Sequence, residues 1–127
     1  MKIIGVGVDI VENSRIKRSI NNNNFLKRVF TKQEILKSKK IKHKVSYFAK
    51  KFAAKEALVK ALGTGFRNGL NFNDITVIND KLGKPSFLIT NKMKYLIKKK
   101  NKISSFDFFL SISDEKKYSM AFVIFQK

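Results

Sequence analysis

The chain contains no cysteine, a single proline, a single histidine and only nine acidic residues among 127. The lack of cysteine excludes disulfides, thiolate zinc sites and cysteine nucleophiles. No apolar run approaches the roughly 18 residues that a membrane-spanning helix needs. The apolar N-terminus follows one lysine and runs into Asp9 without a small-residue cleavage site, which is not typical of a signal peptide. We therefore expect a soluble cytoplasmic protein that does not use a membrane.

The length and the apolar content fit one domain that covers residues 1–127. Apolar residues make up 43% of the chain, which is enough for a hydrophobic core. The one histidine, His43, lies between two lysines in a charged run, so a solvated position is favoured over a metal ligand or a catalytic base.

The scarcity of acids leaves a formal net charge of +19, from 28 lysines and arginines. Such a charge fits an acidic partner, such as nucleic acid or an acidic protein, but it also fits a general lysine-rich composition, since the excess is spread along the chain. Basic residues adjoin aromatic ones at Lys50-Lys51-Phe52 and Lys94-Tyr95, as in some nucleic-acid-binding proteins. No paired aromatic strand motif typical of RNA-binding domains is present, so a non-catalytic nucleic-acid-binding protein is kept as the alternative.

Hydrophobic periodicity predicts an α+β fold, with a mainly antiparallel sheet packed against one long and several short helices. A capping box at Thr31-Lys32-Gln33-Glu34 begins one short helix, and Gly63 suits the left-handed C-cap of the long one. The predicted strands are 3–11, 75–79, 86–90, 106–111 and 118–125, and the main predicted helices are 45–62 and 91–100.

The first strand alternates between two kinds of side chain. Gly5, Gly7 and Asp9 share one face, where the glycines allow a backbone or a ligand to come close. Asn13 or Ser14 is placed to cap the helix that follows. The glycine face and the last hairpin together offer apolar surface on both sides of a strand, so one face is expected to be buried against another subunit.

Two acids occupy sheltered positions in this basic chain. Asp9 ends the glycine face, and Glu56 lies one helical turn before Lys60. Glu56 and Lys60 fit an exposed i, i+4 ion pair, and Asp9 fits a strand-end cap, but the two carboxylates also fit a divalent metal site.

Two phosphate-binding motifs are excluded. Gly5-Val6-Gly7 is not followed by a glycine at position 10, as the dinucleotide fingerprint requires. Gly63-Thr64-Gly65 follows a helix and lacks the Gly-Lys-Ser/Thr of a P-loop.

Whole segments of the chain resemble the holo-acyl-carrier-protein synthases, the small bacterial branch of the 4′-phosphopantetheinyl transferases. The resemblance covers nearly the whole chain. It is carried by Gly5-Val6-Gly7-Val8-Asp9-Ile10-Val11-Glu12-Asn13-Ser14-Arg15-Ile16, by Phe52-Ala53-Ala54-Lys55-Glu56-Ala57-Leu58-Val59-Lys60-Ala61-Leu62-Gly63-Thr64-Gly65, by Gly83-Lys84-Pro85, and by Leu110-Ser111-Ile112-Ser113-Asp114-Glu115 followed by Tyr118.

The resemblance implies transfer of the 4′-phosphopantetheine group of coenzyme A to a serine of apo-acyl carrier protein, with release of adenosine 3′,5′-bisphosphate. It also implies Mg²⁺ as the cofactor and a homotrimer with active sites at the subunit interfaces. Asp9 and Glu56 become the expected metal ligands, and Lys60 completes the catalytic set as a point charge for a phosphate oxygen. The residues expected to bind coenzyme A are Lys60, Gly63, Gly65, Lys84, Pro85 and Asp114.

Two positions depart from the wider pattern. Larger relatives have a third acid where this chain has Val11, so water is expected to fill that coordination position. Some members have histidine at the position of Asp114, which leaves the general base undecided. The acidic carrier protein is expected to dock on basic residues of the first two short helices, which are Arg15, Arg18, Lys27 and Arg28.

Overall fold

The computed structural model describes residues 1–63 and 69–127 and has the expected α+β architecture. The elements are β1 (Ile3–Glu12), α1 (Asn13–Ser19), α2 (Asn23–Val29), α3 (Lys32–Ser38), α4 (Lys44–Leu62), a 3₁₀ turn (Phe72–Asp74), β2 (Thr76–Asn79), β3 (Pro85–Leu88), α5 (Asn91–Asn101), β4 (Asp107–Asp114) and β5 (Tyr118–Gln126).

The strands of the described ranges form two antiparallel sheets. The larger has the order β1-β5-β4, with Asp9 opposite Ala121 and Leu110 opposite Val123. The smaller is the hairpin β2-β3, whose turn contains Gly83 at φ 90°. The prediction of antiparallel pairing is confirmed. The strand β4 continues through Asp114, three residues beyond the predicted end, because it stays paired with β5.

The glycine face of β1 packs against α4. A Cβ atom added at Gly7 would lie 1.8 Å from the carbonyl oxygen of Ala57, and one at Gly5 would lie 1.9 Å from that of Ala61. The glycines therefore allow close approach of a helix backbone, and this face is not free for another subunit. The exposed apolar face is the opposite one, which bears Val6, Val8, Ile10, Phe109, Met120 and Phe122.

The helix α4 is the centre of the core. Its alanines and Leu58 are buried, and it ends at Gly63 in the left-handed conformation with φ 73°. None of the helices in the described ranges is both long and apolar enough to cross a membrane.

The predicted cap of α1 is wrong. The N-cap is Glu12, without a side-chain hydrogen bond, and Asn13 is the first helical residue. The Asn13 side chain donates to the carbonyl oxygens of Glu115 and Lys116 at 3.0 and 3.1 Å and accepts from Ser119 Oγ at 2.8 Å. Tertiary partners have replaced the local cap, and they attach the β4-β5 turn to α1.

The capping box of α3 is present, and its glutamate also serves the core. The Glu34 side chain accepts from the Thr31 amide at 3.0 Å and from the Val77 amide at 2.9 Å. It also pairs at 2.5 Å with Lys55, which is fully buried and donates to the Val29 carbonyl oxygen. Because these bonds satisfy both charges away from water, they fix α3, α4 and β2 to one another.

Candidate active site

The structure brings Asp9 and Glu56 together where β1 crosses α4. Gly7 lies against Ala57, so Asp9, two residues further along the same face of β1, comes beside the preceding turn of the helix. Burial raises the pKa of the Glu56 carboxyl, and the neighbouring Asp9 carboxylate raises it further, while Lys60 and Arg15 lower it. Two like charges in a half-buried position form a site that favours a cation.

Lys60 contacts Asp9 and does not form the i, i+4 pair with Glu56. Its Nζ donates to Asp9 Oδ1 at 3.2 Å and to the Val8 carbonyl oxygen at 3.0 Å. The Lys60 side chain is 55% exposed and that of Asp9 is 16% exposed. The ammonium group is therefore held beside the Asp9 carboxylate on the solvent side, where a ligand can still reach it.

Of the four basic residues predicted to dock a carrier, Arg15 lies nearest to the acids. Its guanidinium carbon is 6.0 Å from the centre of the Phe52 ring, and its charge lowers the pKa of Glu56. Arg18, on the same short helix, and Arg28 are exposed. Lys27 lines a separate groove beside α3.

A second cluster of candidate residues surrounds a cavity of about 170 Å³ near the start of α4. Pro85 and Asp114 line it, and Asp114 accepts a hydrogen bond from Ser46 Oγ at 2.9 Å. The other residues that line this cavity are Tyr47, Lys50, Lys51, Val77, Asn79, Gly83 and Ile112. Lys84 is exposed in the neighbouring turn, where its amide donates to Asp80 Oδ1 at 2.9 Å.

Lys51 is the most unusual group in this cavity, and it was not predicted from the sequence. Its Nζ donates to the Val77 carbonyl oxygen at 3.0 Å and lies 4.6 Å from the centre of the Tyr47 ring. Burial lowers its pKa to about 8, an effect that the Glu34 carboxylate partly offsets. The signal was available in the sequence, because Tyr47, Lys50 and Lys51 have the i, i+3, i+4 spacing of one helical face.

The two clusters lie on opposite faces of α4. At 3.6 residues per turn, Tyr47 and Lys51 project roughly 140–180° away from Glu56 and Lys60 around the helix axis. The body of the helix therefore separates the cavity from the acidic pair within one copy of the chain. Gly63 caps α4 in open space, with nothing within 4 Å of an added Cβ, and Gly65 lies outside the described residues.

Among the described residues, Asp9 and Glu56 have no third acidic side chain beside them. Among residues 1–63 and 69–127, no group of three or more acidic or histidine side chains comes together in a way that could hold a metal ion. A metal at Asp9 and Glu56 would therefore take its other ligands from water and substrate, as Mg²⁺ commonly does.

Comparisons with known proteins assign the chain to a family. The profile of the 4′-phosphopantetheinyl transferase superfamily matches residues 5–123. A holo-[acyl-carrier-protein] synthase of Pelagibacter ubique is 68% identical over 127 residues, which cover 100% of this chain and 99% of the relative. A synthase of the same name from Buchnera aphidicola is 43% identical over 100% of both chains.

Solved structures agree with the sequence comparisons. The holo-[acyl-carrier-protein] synthase of Neisseria meningitidis superimposes with a TM-score of 0.89 at 38% identity, over 99% of this chain and 100% of the other. The synthase of Bacillus anthracis, solved in complex with CoA (3′,5′-ADP), gives 0.81 at 33% identity over 98% and 97%. The chain therefore belongs to the holo-[acyl-carrier-protein] synthases of the 4′-phosphopantetheinyl transferase superfamily.

Proposed function

We propose that this chain transfers the 4′-phosphopantetheine group of coenzyme A to a serine of an apo-acyl carrier protein and releases adenosine 3′,5′-bisphosphate. The observation that carries the proposal is the convergence of Asp9, Glu56 and Lys60 at one point where β1 crosses α4. All three lie in the two segments that resemble the family, and they suit a diphosphate substrate because they combine metal ligands with a partly exposed ammonium group.

Asp9 and Glu56 would hold Mg²⁺. Both offer the hard carboxylate oxygens that this ion prefers, and the Asp9 charge raises the pKa of Glu56, so a cation between them would relieve the repulsion. When bound, Mg²⁺ supplies positive charge at the diphosphate and makes its phosphorus more open to attack by a serine hydroxyl.

Lys60 would bind a phosphate oxygen of coenzyme A. Its Nζ is anchored by the Val8 carbonyl oxygen and by Asp9, yet more than half of its side chain is exposed. An ammonium group held in this way needs little further ordering when it meets a phosphate. The role of Lys60 in this scheme is orientation and charge neutralisation.

The nucleotide end of coenzyme A would bind in the cavity lined by Lys51, Pro85 and Asp114. Lys84, Gly63 and Gly65 remain proposed contacts of the same substrate. Because α4 separates this cavity from the acidic pair within one copy, a single coenzyme A is expected to use the acidic pair of one copy and the cavity of another.

That arrangement supports a homotrimer with active sites between subunits. The exposed face of the β1-β5-β4 sheet provides the required surface, since Val8 and Ile10 lie there opposite Phe122 and Met120. Apolar side chains grouped in this way on one side of a sheet favour contact with another copy. A fully active monomer in light-scattering measurements would contradict the trimer.

The carrier protein would dock on the basic surface next to Glu56. Arg15 is the closest cation of this surface, Arg18 follows three residues later, and Arg28 and Lys27 extend it on α2. An acidic carrier would be attracted to these side chains and would bring its serine to the metal.

The function is tested by the mass of the carrier. The protein is incubated with coenzyme A, Mg²⁺ and several apo-acyl carrier proteins, and intact mass spectrometry should then show addition of the phosphopantetheine group. Failure with every carrier, together with RNA binding that weakens steeply with salt, would overturn the proposal in favour of the nucleic-acid-binding alternative.

A further inference from the structure

A groove beside α3 is a large cleft of which the proposed function uses only Lys27, at the edge next to α2. It has a volume of about 830 Å³ and lies between the end of α2, the length of α3 and the chain around the 3₁₀ turn. We refer to it as the α3 groove. Its lining residues are Lys27, Phe30, Thr31, Lys32, Gln33, Ile35, Leu36, Lys39, Asn73 and Thr76.

The exposed side of α3 has a regular pattern in this groove. Lys32, Leu36 and Lys39 follow one another at i, i+4 and i+7, so they lie along one helical face, with the leucine between the two lysines. Leu36 is 65% exposed, half-buried Ile35 lines the groove beside it, and the buried Phe30 also borders the groove. An exposed leucine in a cleft with apolar walls is a typical position for a partner's side chain.

The groove is also electropositive. Lys27, Lys32 and Lys39 line it, and no acidic residue does. The two nearest carboxylates along the chain are already paired, because Glu34 is buried with Lys55 and Asp74 accepts from Lys92 Nζ at 2.8 Å. Within the part of the chain that the structure describes, no carboxylate lies within 4 Å of the ammonium groups of the three groove lysines.

We propose that the α3 groove docks an acidic amphipathic helix of a protein partner other than the carrier. An apolar side chain of that helix enters the groove beside Leu36, and carboxylates one turn to either side meet Lys32 and Lys39. The spacing of the cations along α3 matches the spacing at which a second helix presents acids on both sides of a leucine.

The shape of the site favours a helix over a lipid surface. A bilayer is broad and flat, so it can meet the lysines but cannot reach into the cleft beside Ile35. A helix that lies along α3 satisfies the lysines and also removes the Leu36 side chain from water.

The proposal is tested with a synthetic alanine-rich peptide of about 20 residues, long enough to be partly helical in water, that carries glutamates and leucine in the complementary spacing. Fluorescence anisotropy at low salt should show binding to the parent protein. Lys32→Glu/Lys39→Glu should weaken binding by at least about tenfold, since it replaces two attractive contacts with repulsive ones. Leu36→Ala should weaken binding severalfold without changing its salt dependence.

The matched control is Lys98→Glu/Lys99→Glu on α5, which changes the net charge equally and lies outside the groove. It should alter peptide affinity by less than about threefold, because distant exposed charges are largely screened. A scrambled peptide of the same composition should bind more weakly than the patterned one. Circular dichroism confirms that each variant remains folded.

Several results would overturn the proposal. They are no peptide binding by the parent, an equal loss of affinity in the α5 control, or equal affinity for the scrambled peptide. Sedimentation with anionic vesicles that is lost in Lys32→Glu/Lys39→Glu, without peptide binding, would assign the groove to a membrane instead. The transfer assay separates the carrier from the second partner, because the KM for the carrier should stay unchanged in this variant. A parallel rise in that KM would assign the groove to the carrier.

Discussion

Replacing Gly7 with alanine tests how the fold positions the site. The added Cβ would lie 1.8 Å from the carbonyl oxygen of Ala57 and 2.7 Å from the amide nitrogen of Ala61. Both are backbone atoms of α4, so no side-chain rotation can relieve the overlap, and strand and helix must separate by on the order of 1 Å. Overpacking of this kind costs about 1–3 kcal/mol, and we expect the upper end because the obstacle is a helix backbone.

The expected losses differ between stability and activity. A cost of about 3 kcal/mol should lower the urea midpoint by roughly 1.5–2 M in equilibrium unfolding. The same separation moves Asp9 away from Glu56 and Lys60, and a displacement of about 1 Å in such a site can cost about a hundredfold in rate. Transfer activity is therefore measured at a temperature at which the variant is fully folded.

Gly69→Ala is the control for the general cost of losing a glycine. Gly69 has φ 83° and nothing lies within 4 Å of an added Cβ, so only the backbone conformation becomes unfavourable, at a cost of about 1–2 kcal/mol. If Gly7→Ala were no less stable than Gly69→Ala and kept full activity, the close packing of β1 on α4 would not be what positions Asp9.

Three further predictions concern charged side chains. Lys60→Met should lower kcat/KM, and the corresponding loss of transition-state stabilisation should far exceed the few tenths of a kcal/mol that an exposed ion pair contributes. An unchanged kcat/KM would show that Lys60 does not act in the site. Arg15→Glu/Arg18→Glu should raise the KM for the carrier and weaken its salt dependence, with little change in the KM for coenzyme A; equal effects on both substrates would assign these residues to the site in general. Lys51 has a pKa of about 8 in the folded chain, below the ordinary 10.5, so the unfolded chain binds the extra proton between these values and stability should fall as the pH drops from 10.5 to 8. In urea unfolding Lys51→Met should flatten that slope, and an unchanged slope would contradict the lowered pKa.

Local patterns predicted the parts of this structure that depend on neighbouring residues. The capping box at Thr31 and Glu34 and the left-handed end of α4 at Gly63 are both present, because each is specified within a few residues. The scarcity of acids marked Asp9 and Glu56 as candidate metal ligands, and whole segments that resemble a family favoured that interpretation. Whether these residues bind metal and substrate stays a prediction.

The side-chain partners that the sequence did not predict are set by contacts between residues far apart in the chain. Asn13 was predicted as a helix cap, but its side chain bonds the distant β4-β5 turn. The i, i+4 spacing left an ion pair between Lys60 and Glu56 open, yet Lys60 contacts Asp9, which reaches it only because β1 crosses α4. Lys55 looks like another exposed lysine in the sequence, but a buried Glu34 from α3 makes its burial possible.

Those contacts also determine which surface is free. The glycines of β1 were expected to let a backbone or a ligand come close, and the structure shows that the backbone of α4 fills that space at Ala57 and Ala61. Alternation along the strand predicted two apolar faces but could not say which one the helix would cover.

The central claim is that Asp9 and Glu56 together form the metal-dependent transfer site. The most direct measurement is the rate at which the intact mass of an apo carrier increases in the presence of coenzyme A and Mg²⁺, for the parent, Asp9→Ala and Glu56→Ala. We expect each variant to fold like the parent and to lose at least about a thousandfold in rate, since each loses a ligand of the ion that neutralises the diphosphate. A folded variant of either residue that transfers the group within about tenfold of the parent rate would contradict the claim.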